Sequence, residues 1–484
     1  MSPSDSLSTS LEKNKARLHQ LLPLQKSFDF VTRDLSLGDI PCFFVGLNGL
    51  CDQELILKIF SEFSLPEDST PGTTSLDTIP KEIMEQFLYT QVTAVPSFQR
   101  LVNALLVGSA ILLVGNYGQG LILDTRDYPD RDPDESDTEK VIRGAKDGFV
   151  ESIVTNCCLI RRRLRSSRLT FAAQSVGNLS HTDVAVAYME GLCDPKLLSQ
   201  VQEKLRTLSA SALTMGVQSL KELLVKKSMF HPMPDFYLTQ RPDVACSYLT
   251  EGYILLLVDN SPFALVLPCT VFQFTQSPED YYRSPAVGTY LRLVRFLCLL
   301  VSLFFMPLFL LFSLNPGWLP EILHPMITSD VSPLALFIYV LFVELGLDLL
   351  KYASAHTASD YSGALSIVGG LLIGDMAINL QWASVEVIFY GAVTLLATLS
   401  LPSVELSDAV RLYRFFLILL TGLFSAWGFG IGLALILLSL ITTPVFGKKS
   451  YFWPLFPFHW EALRTLLFRY PTFKAQPEKK QQQK

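Results

Sequence analysis

The sequence predicts an α/β soluble region of two similar lobes, followed by an all-α polytopic membrane domain. Two observations support this fold class. Most charged residues precede Phe296, and the segments 296–317 and 415–447 carry no charge at all. Each of these segments is long enough to cross a hydrocarbon core of about 30 Å. In addition, a pattern of strands and helices in the first half of the chain recurs at an almost constant offset.

The recurring pattern is centred on a short motif. Residues 49–55 read GLCDQEL, and residues 191–197, 142 positions later, read GLCDPKL. Each copy follows an apolar run and precedes a helical pattern, so we predict that Asp52 and Asp194 are helix N-caps. The segments 105–123 and 249–267 also align without a gap. These matches favour tandem copies of one α/β unit, although unrelated strand–helix units can also look alike.

The order of charged and apolar segments predicts five regions. They are a flexible N-terminal tail (1–24), a first α/β lobe (25–140), a second α/β lobe with its connecting helix (141–290), a membrane domain of four or five spans (291–447) and a cytoplasmic C-terminal tail (448–484). The polar N-terminus predicts no cleavable signal peptide. Arginines precede the first span and the next connection has none, so we expect the soluble region in the cytoplasm.

The last apolar segment, 415–447, is too long for one span and too short for two full ones. Basic residues on both sides of it favour the same side of the membrane, which requires the chain to enter and return. We predict the bend in the glycine-rich stretch 428–432.

Earlier in the chain, residues 115–120 (GNYGQG) are predicted to form a hairpin turn between two apolar strands, not a phosphate-binding loop.

Several classes of function are disfavoured by composition. The eight cysteines form no CxxC pair and no histidine lies at ligand spacing, so we expect reduced thiols, no metal and no cofactor. No nucleophile elbow, P-loop or dinucleotide fingerprint occurs, which argues against an enzyme. The net charge of −6 argues against nucleic acid as a partner, despite the arginines in 161–168. Those arginines and the acid-rich stretch before them suit a self-pairing connector between the lobes.

Acidic residues within the predicted spans are costly and therefore point to function. Glu344 and Asp348 share one helix face, and Lys351 lies where it can partner Asp348. An amphipathic helix lying on the membrane surface is an equally good interpretation of this segment. In the next span, Gly363, Gly370 and Gly374 fall on one face, which fits either a narrow oligomeric pore or simple tight packing. The candidate ion-path residues are Glu344, Asp348, Asp375, Glu386, Gly370 and Gly374, and a ring of Asp375 carboxylates is a common kind of cation filter.

Several longer motifs resemble a known family. The runs 141–144 (VIRG), 147–151 (DGFVE), 239–243 (TQRPD) and 453–458 (WPLFPF) are similar to the signature of the GerA family, the A subunits of spore germinant receptors. The resemblance extends from about residue 25 to 471. One departure is Gln240, which stands where the family usually has Glu, and another is the run LSHTD at 179–183.

The resemblance implies a protein of the spore inner membrane with its soluble region in the cytoplasm. It also implies an oligomer that conducts monovalent cations during germination, together with other germination membrane subunits. A non-conducting scaffold and an ion-coupled transporter are the alternatives. The polar residues of the family-like motifs, Arg143, Glu151, Asn156 and Arg241, are candidates for coupling the two lobes, with structural ion pairing as the alternative.

Overall fold

The computed structural model describes most of the chain and divides it into two units. The described residues are 5–37, 40–61, 91–128, 139, 144–208, 210–225, 231–327, 331–356, 363, 367, 369–371, 374, 377–380, 382–443, 445–446 and 450–469. The first unit comprises Met1–Lys226 and Phe236–Pro268, and the second comprises Lys227–Asp235 and Cys269–Lys484.

The first unit contains two lobes, each with one five-stranded antiparallel sheet. The first lobe consists of α1 (Leu11–Leu21), β1 (Phe30–Leu37), β2 (Ile40–Leu47), α2 (Gln53–Ser61), β3 (Val92–Val95), α3 (Phe98–Val107), β4 (Ala110–Val114) and β5 (Gly120–Leu123). The second consists of α4 (Ile153–Arg163), β6 (Leu169–Val176), β7 (Thr182–Met189), α5 (Pro195–Thr207), α6 (Val217–Leu224), β8 (Tyr237–Thr239), α7 (Pro242–Thr250), β9 (Ile254–Val258) and β10 (Ala264–Leu267).

The two sheets have the same strand order, which confirms the predicted pair of similar lobes. The first runs β1-β2-β4-β5-β3 and the second runs β6-β7-β9-β10-β8. Every residue of β4 and of β9 is buried, because each of these strands lies within its sheet and is covered on both faces. The predicted hairpin is also confirmed, since β4 and β5 pair antiparallel around the turn at 115–119.

The repeated motif is explained by backbone geometry that both lobes require. Gly49 and Gly191 have φ of +78° and +75°, in the left-handed region that favours glycine. Asn116 and Asn260, which follow the central strands, have φ of +62° and +61°. Asparagine is one of the few other residues that adopt this conformation readily. Each lobe therefore makes the same turns at the same positions.

Both predicted N-caps are confirmed. The Asp52 carboxylate accepts a hydrogen bond from the Leu55 backbone N–H (3.0 Å), and the Asp194 carboxylate accepts one from the Lys196 N–H (2.9 Å). Each satisfies a donor that the first helical turn would otherwise leave unpaired.

The N-terminal residues differ from the expected flexible tail, since residues 11–21 form helix α1 and Leu18 is fully buried. Helix α1 lies 142 positions before α4, so it belongs to the repeated unit. The buried side chain of Asn14 accepts from the Ser8 N–H (2.9 Å) and donates to the Ser8 carbonyl (2.6 Å). Asn156 makes the same two bonds with Val150, at 2.8 and 2.6 Å. The same side-chain clamp thus precedes the first helix of both lobes.

The second unit is helical. Its longer helices are α9 (Pro285–Leu314), α10 (Pro333–His356), α12 (Val385–Leu399) and α13 (Val404–Thr442), and its short ones are α8 (Glu279–Tyr282), α11 (Ala377–Asn379) and α14 (Trp460–Leu467). Among the described residues, α9, α10 and α13 are long and apolar enough to span a membrane, and α12 is a shorter apolar helix. The predicted span 361–380 falls mostly outside the described residues. Apolar side chains such as Met306, Val340, Val387 and Ile418 form the bundle core.

Helix α13 is two helical segments joined at a sharp bend. Ser425 has φ of +50° and ψ of −130°, which is not helical. Beyond it the chain packs back on itself, since the Tyr413 hydroxyl lies 2.7 Å from the Ser439 hydroxyl. The predicted return of this segment is therefore observed, but the bend lies at Ser425 and not within Gly428–Gly432. Gly432 instead packs against Leu417, where a Cβ would come within 2.8 Å of the leucine side chain.

The expected C-terminal tail also contains ordered structure. Tyr451 is fully buried and its hydroxyl donates to the Pro234 carbonyl at 2.8 Å. Burial raises the pKa of this phenol well above its ordinary value. Helix α14 follows, and residues 470–484 lie outside the described residues.

Candidate functional site

A buried ion pair joins the two lobes. Arg161, on helix α4, is 1% exposed, and its Nε donates to the Asp29 carboxylate at 2.9 Å. Asp29 precedes strand β1 of the first lobe. The same guanidinium donates to the carbonyls of Ser166 (2.9 Å) and Leu169 (3.0 Å). Arg161 therefore uses all three of its nitrogens inside the protein.

Aromatic and backbone contacts complete this junction. The Arg161 guanidinium lies 5.4 Å from the Phe30 ring centroid and 5.2 Å from that of Phe171. The Ser27 hydroxyl donates to Asp29 (2.5 Å) and accepts from the Phe171 N–H (2.8 Å). A buried charge that loses its partner destabilises a protein by about 3–5 kcal/mol. Separating the lobes would break this ion pair, so the junction stabilises one arrangement of the two lobes.

Helix α4 also packs closely on the first copy of the repeated motif. The Cys158 thiol donates to the Asn48 carbonyl at 3.3 Å. A Cβ on Gly49 would lie 2.5 Å from the Cys158 sulfur. Burial raises the pKa of Cys158 to about 12 and that of the neighbouring Cys157 well above its ordinary value. Both thiols are therefore inert packing groups.

The described residues that were predicted to couple the lobes, Glu151, Asn156 and Arg241, make other contacts. Arg143 is outside the described residues. Glu151 is exposed, and its carbonyl accepts from the Asn260 N–H within the second lobe. Asn156 forms the local clamp described above. Arg241 is buried and binds Asp243, at 2.8 Å, and the carbonyls of Glu139 and Ala145, which lie in the segment between β5 and α4.

The sequence contained a signal for Arg161 that the charge pattern obscured. It is one of five arginines in the segment 161–168, a composition that predicts a solvated cluster. Yet Arg161 lies three positions after Cys158 and four after Cys157, so the arginine shares one helix face with these two apolar cysteines. An arginine on an apolar face requires a buried partner.

In the second unit, α10 and α13 are joined by a series of ion pairs that we name the charge ladder. Glu344 pairs with Arg414, Asp348 with Arg411 (3.3 Å), and Lys351 with Asp408 (3.1 Å). The ladder consists of Glu344, Asp348, Lys351, Asp408, Arg411 and Arg414. Lys351 was expected to partner Asp348 on its own helix. It pairs with Asp408 across the helix contact instead, and Arg411 pairs with both Asp348 and Asp408 (3.4 Å).

The buried end of the charge ladder connects four helices. Arg414 donates through Nε to Glu344 (2.5 Å) and through Nη1 to the Ser302 carbonyl (2.9 Å) and the Thr398 hydroxyl (3.1 Å). Ser302 and Thr398 are themselves 2.7 Å apart. Glu344 is 2% and Arg414 3% exposed. Glu344 therefore lies inside the bundle and not on a helix resting at the membrane surface.

The other predicted ion-path residues are Asp375, Glu386, Gly370 and Gly374. Asp375 lies outside the described residues. Glu386 is in the first turn of α12, where a carboxylate interacts favourably with the helix dipole. Gly370 is exposed and Gly374 is half-buried. No described atom lies within 4 Å of a Cβ placed on either glycine, or on Gly363. The described residues also contain no group of three His, Cys, Asp or Glu side chains that could hold a metal ion.

Comparisons with known proteins agree with the motifs. Residues 18–481 match the model of the Bacillus/Clostridium GerA spore germination protein. The chain is 34% identical to stage V sporulation protein AF of Bacillus subtilis (strain 168), covering 94% of this chain and 92% of that protein. It is 28% identical to spore germination protein KA of the same organism, covering 96% and 85%.

A solved structure is also similar, namely the N-terminal domain of the A subunit of the Bacillus megaterium spore germinant receptor GerK3. That match has 24% identity and a TM-score of 0.41, covering 54% of this chain and 95% of that one. The match to the family model extends over nearly the whole chain, through both lobes and the membrane helices. This protein is therefore a spore germination membrane protein that belongs to the GerA family.

Proposed function

We propose that this chain is an oligomeric, cation-conducting subunit of a germination complex in the inner membrane of the spore. The observation that carries the proposal is the open glycine face at Gly363, Gly370 and Gly374. Small residues on one face let helices approach closely. Because no described atom of the same chain lies against this face, the partner helix is proposed to come from another copy of the chain.

Conduction is proposed to follow from the position of Asp375, directly after Gly374 in the sequence. In a symmetric oligomer, one such residue per subunit would form a ring of carboxylates, which attracts monovalent cations and repels anions. The charge ladder supports this choice indirectly. Its carboxylates already have cationic partners inside the subunit, so they are less suited to line a path for ions.

The orientation of the protein is part of the proposal. Arg292 and Arg295 lie near the start of α9, and the connection 315–330 contains no lysine or arginine. The positive-inside rule then favours a cytoplasmic position for the two lobes. There they would respond to other germination membrane subunits and transmit that signal to the helices, without catalysing a reaction.

A non-conducting scaffold is the second candidate. It is favoured by the charge ladder, because its paired charges, of which Glu344 and Arg414 are buried, hold the helices in one arrangement and leave these carboxylates paired rather than available to a transported ion.

Potassium efflux from liposomes containing the purified protein distinguishes the two candidates. We expect efflux from the unmodified protein and a loss of about tenfold or more in Asp375→Asn, since the substitution removes the whole ring of charge. Glu321→Gln, at an exposed acid of another segment, is the matched control and should leave efflux unchanged. Gly370→Leu should reduce oligomer formation in sedimentation measurements. A folded oligomer that releases no potassium would support the scaffold.

A further inference from the structure

The chain folds back, after its last membrane helix, onto the start of α9. Arg292 donates through Nη1 to the Thr465 and Leu466 carbonyls, both at 3.2 Å, at the C-terminal end of α14. The Arg469 backbone N–H donates to the Thr289 hydroxyl at 3.1 Å. The Arg469 guanidinium donates to the carbonyls of Tyr281 (2.8 Å) and Arg283. Helix α14 and the beginning of α9 therefore form one local structure.

A shallow cavity of about 440 Å³, largely open to solvent, lies between these two elements. Its lining residues are Pro285, Ala286, Thr289, Arg464, Phe468 and Arg469. This volume is within the range of small-molecule sites. The lining combines two guanidinium groups and a hydroxyl with apolar side chains, so it suits a ligand with a negatively charged group next to an apolar part.

Near the cavity, two arginines of α9 share one buried carboxylate. Asp280 is fully buried and pairs with both Arg292 (3.1 Å) and Arg295. One carboxylate thus forms ion pairs with two guanidinium groups. Among the described residues, buried N–H groups without a hydrogen-bond acceptor remain on Arg292, Arg295 and Arg469, and one carboxylate oxygen of Asp280 is also without a donor. Of these, Arg469 lines the cavity, and phosphate oxygens are strong acceptors for guanidinium groups.

The same segment exposes a series of aromatic side chains. Phe456 is 57% exposed, Phe458 66%, Trp460 60% and Phe468 45%. Exposed aromatic rings next to arginines, at the end of a membrane helix, are typical of the boundary between hydrocarbon and water. This composition is the one expected of a segment at the level of the lipid headgroups.

We propose that this cavity binds the phosphate headgroup of an anionic phospholipid. Arg464 and Arg469 contact the phosphate, and Phe468 packs along the first part of an acyl chain. Bound lipid would fasten α14 to the start of α9, which leads directly into the first membrane helix. This site is separate from the proposed ion path and does not depend on conduction.

The test uses the full-length protein, delipidated in an uncharged detergent. Native mass spectrometry measures the binding of phosphatidylglycerol and of phosphatidylcholine, which has a phosphate but no net charge. We expect phosphatidylglycerol to bind at least about tenfold more tightly, because two arginines face the charge. Arg464→Gln and Arg469→Gln should each weaken its binding about fivefold. Arg206→Gln, at an exposed position of the first unit, is the control and should change nothing.

Three outcomes would overturn the proposal. The first is equal binding of the two lipids. The second is full displacement of phosphatidylglycerol by millimolar inorganic phosphate, which would identify the site as one for free anions. The third is an unchanged affinity in Arg464→Gln. Because the Arg464 side chain is exposed, this variant is expected to fold even if Arg469→Gln, which removes bonds to two carbonyls, does not.

Discussion

The glycines of the repeated motif provide a matched pair of substitutions that measures how tightly the lobes are joined. Gly49 and Gly191 have nearly the same positive φ, so replacement by alanine strains the two backbones alike. Their surroundings differ. An alanine Cβ at Gly49 would lie 2.5 Å from the Cys158 sulfur and 3.0 Å from Val154, both on helix α4. At Gly191, no described atom lies within 4 Å of the added methyl group.

The magnitudes follow from these two terms. The shared backbone strain costs about 1–2 kcal/mol in each variant. Overpacking adds about 1–3 kcal/mol at Gly49 alone. If that additional cost is relieved when α4 separates from the first lobe, the open state of the junction is about 5- to 150-fold more populated in Gly49→Ala than in Gly191→Ala.

Alkylation of Cys157 in the full-length protein at pH 8 reports on this opening. The thiol is buried, and burial keeps its pKa far above the working pH, so it reacts only when the junction opens. We expect Gly49→Ala to be labelled faster than Gly191→Ala by the factor given above. Removal of the clashing sulfur in Gly49→Ala/Cys158→Ala should return most of the labelling rate toward that of Gly191→Ala.

Equal labelling of Cys157 in the two glycine variants would refute the reasoning, because it would mean that α4 adapts to the methyl group without cost. A labelling rate that the added Cys158→Ala substitution leaves unchanged would refute it too. In that case the clash is not with the sulfur.

Three further predictions concern the buried charges and the bend. Asp29→Asn should destabilise the first unit by about 3–5 kcal/mol, because Arg161 stays buried without its counterion. Asp34→Asn, in the exposed pair with Lys15, should cost at most about 1 kcal/mol. The rate of Cys157 labelling in the two variants measures this difference. Arg414→Gln should destabilise the membrane helices by a similar amount, about 3–5 kcal/mol. Thermal unfolding followed by tryptophan fluorescence measures this effect, because all five tryptophans lie beyond residue 317. An unchanged melting temperature would contradict a structural role for this arginine. Ser425→Val should be less stable than Ser425→Gly by about 1–3 kcal/mol in the same assay, because only glycine adopts the positive φ of this position without backbone strain. Equal stabilities of the two variants would show that this residue does not determine the bend.

The parts of the fold that were predictable are encoded locally. The caps at Asp52 and Asp194 and the hairpin after β4 depend on residues within a few positions of one another. Helix α1 was missed because most of its sequence, LEKNKARLHQL, is polar, and only Leu18 and Asn14 are buried. The match with α4 at the same offset was available, but it is a match of positions more than of residue types.

The candidate sites depend on contacts between distant residues, which one sequence cannot reveal. Arg161 and Asp29 are 132 positions apart, and Arg414 and Glu344 are 70 apart. The bend at Ser425 is of the same kind. A serine adopts a conformation that glycine favours, and its hydroxyl accepts a hydrogen bond from Asn315, 110 positions earlier. The nearby glycines were the more obvious choice but have a packing role.

The charge ladder also changes which acid is the best candidate for the ion path. Acids outnumber bases in the membrane region, and that balance suggested a cation path through any of them. Glu344 and Asp348 each have an arginine partner within the subunit, and freeing Glu344 would leave Arg414 buried and uncompensated at a cost of about 3–5 kcal/mol. A path through them would have to overcome that cost at each opening. Under the proposal made above, Asp375, which follows Gly374 in the sequence, is therefore the residue whose neutralisation is expected to distinguish a conducting subunit from a scaffold.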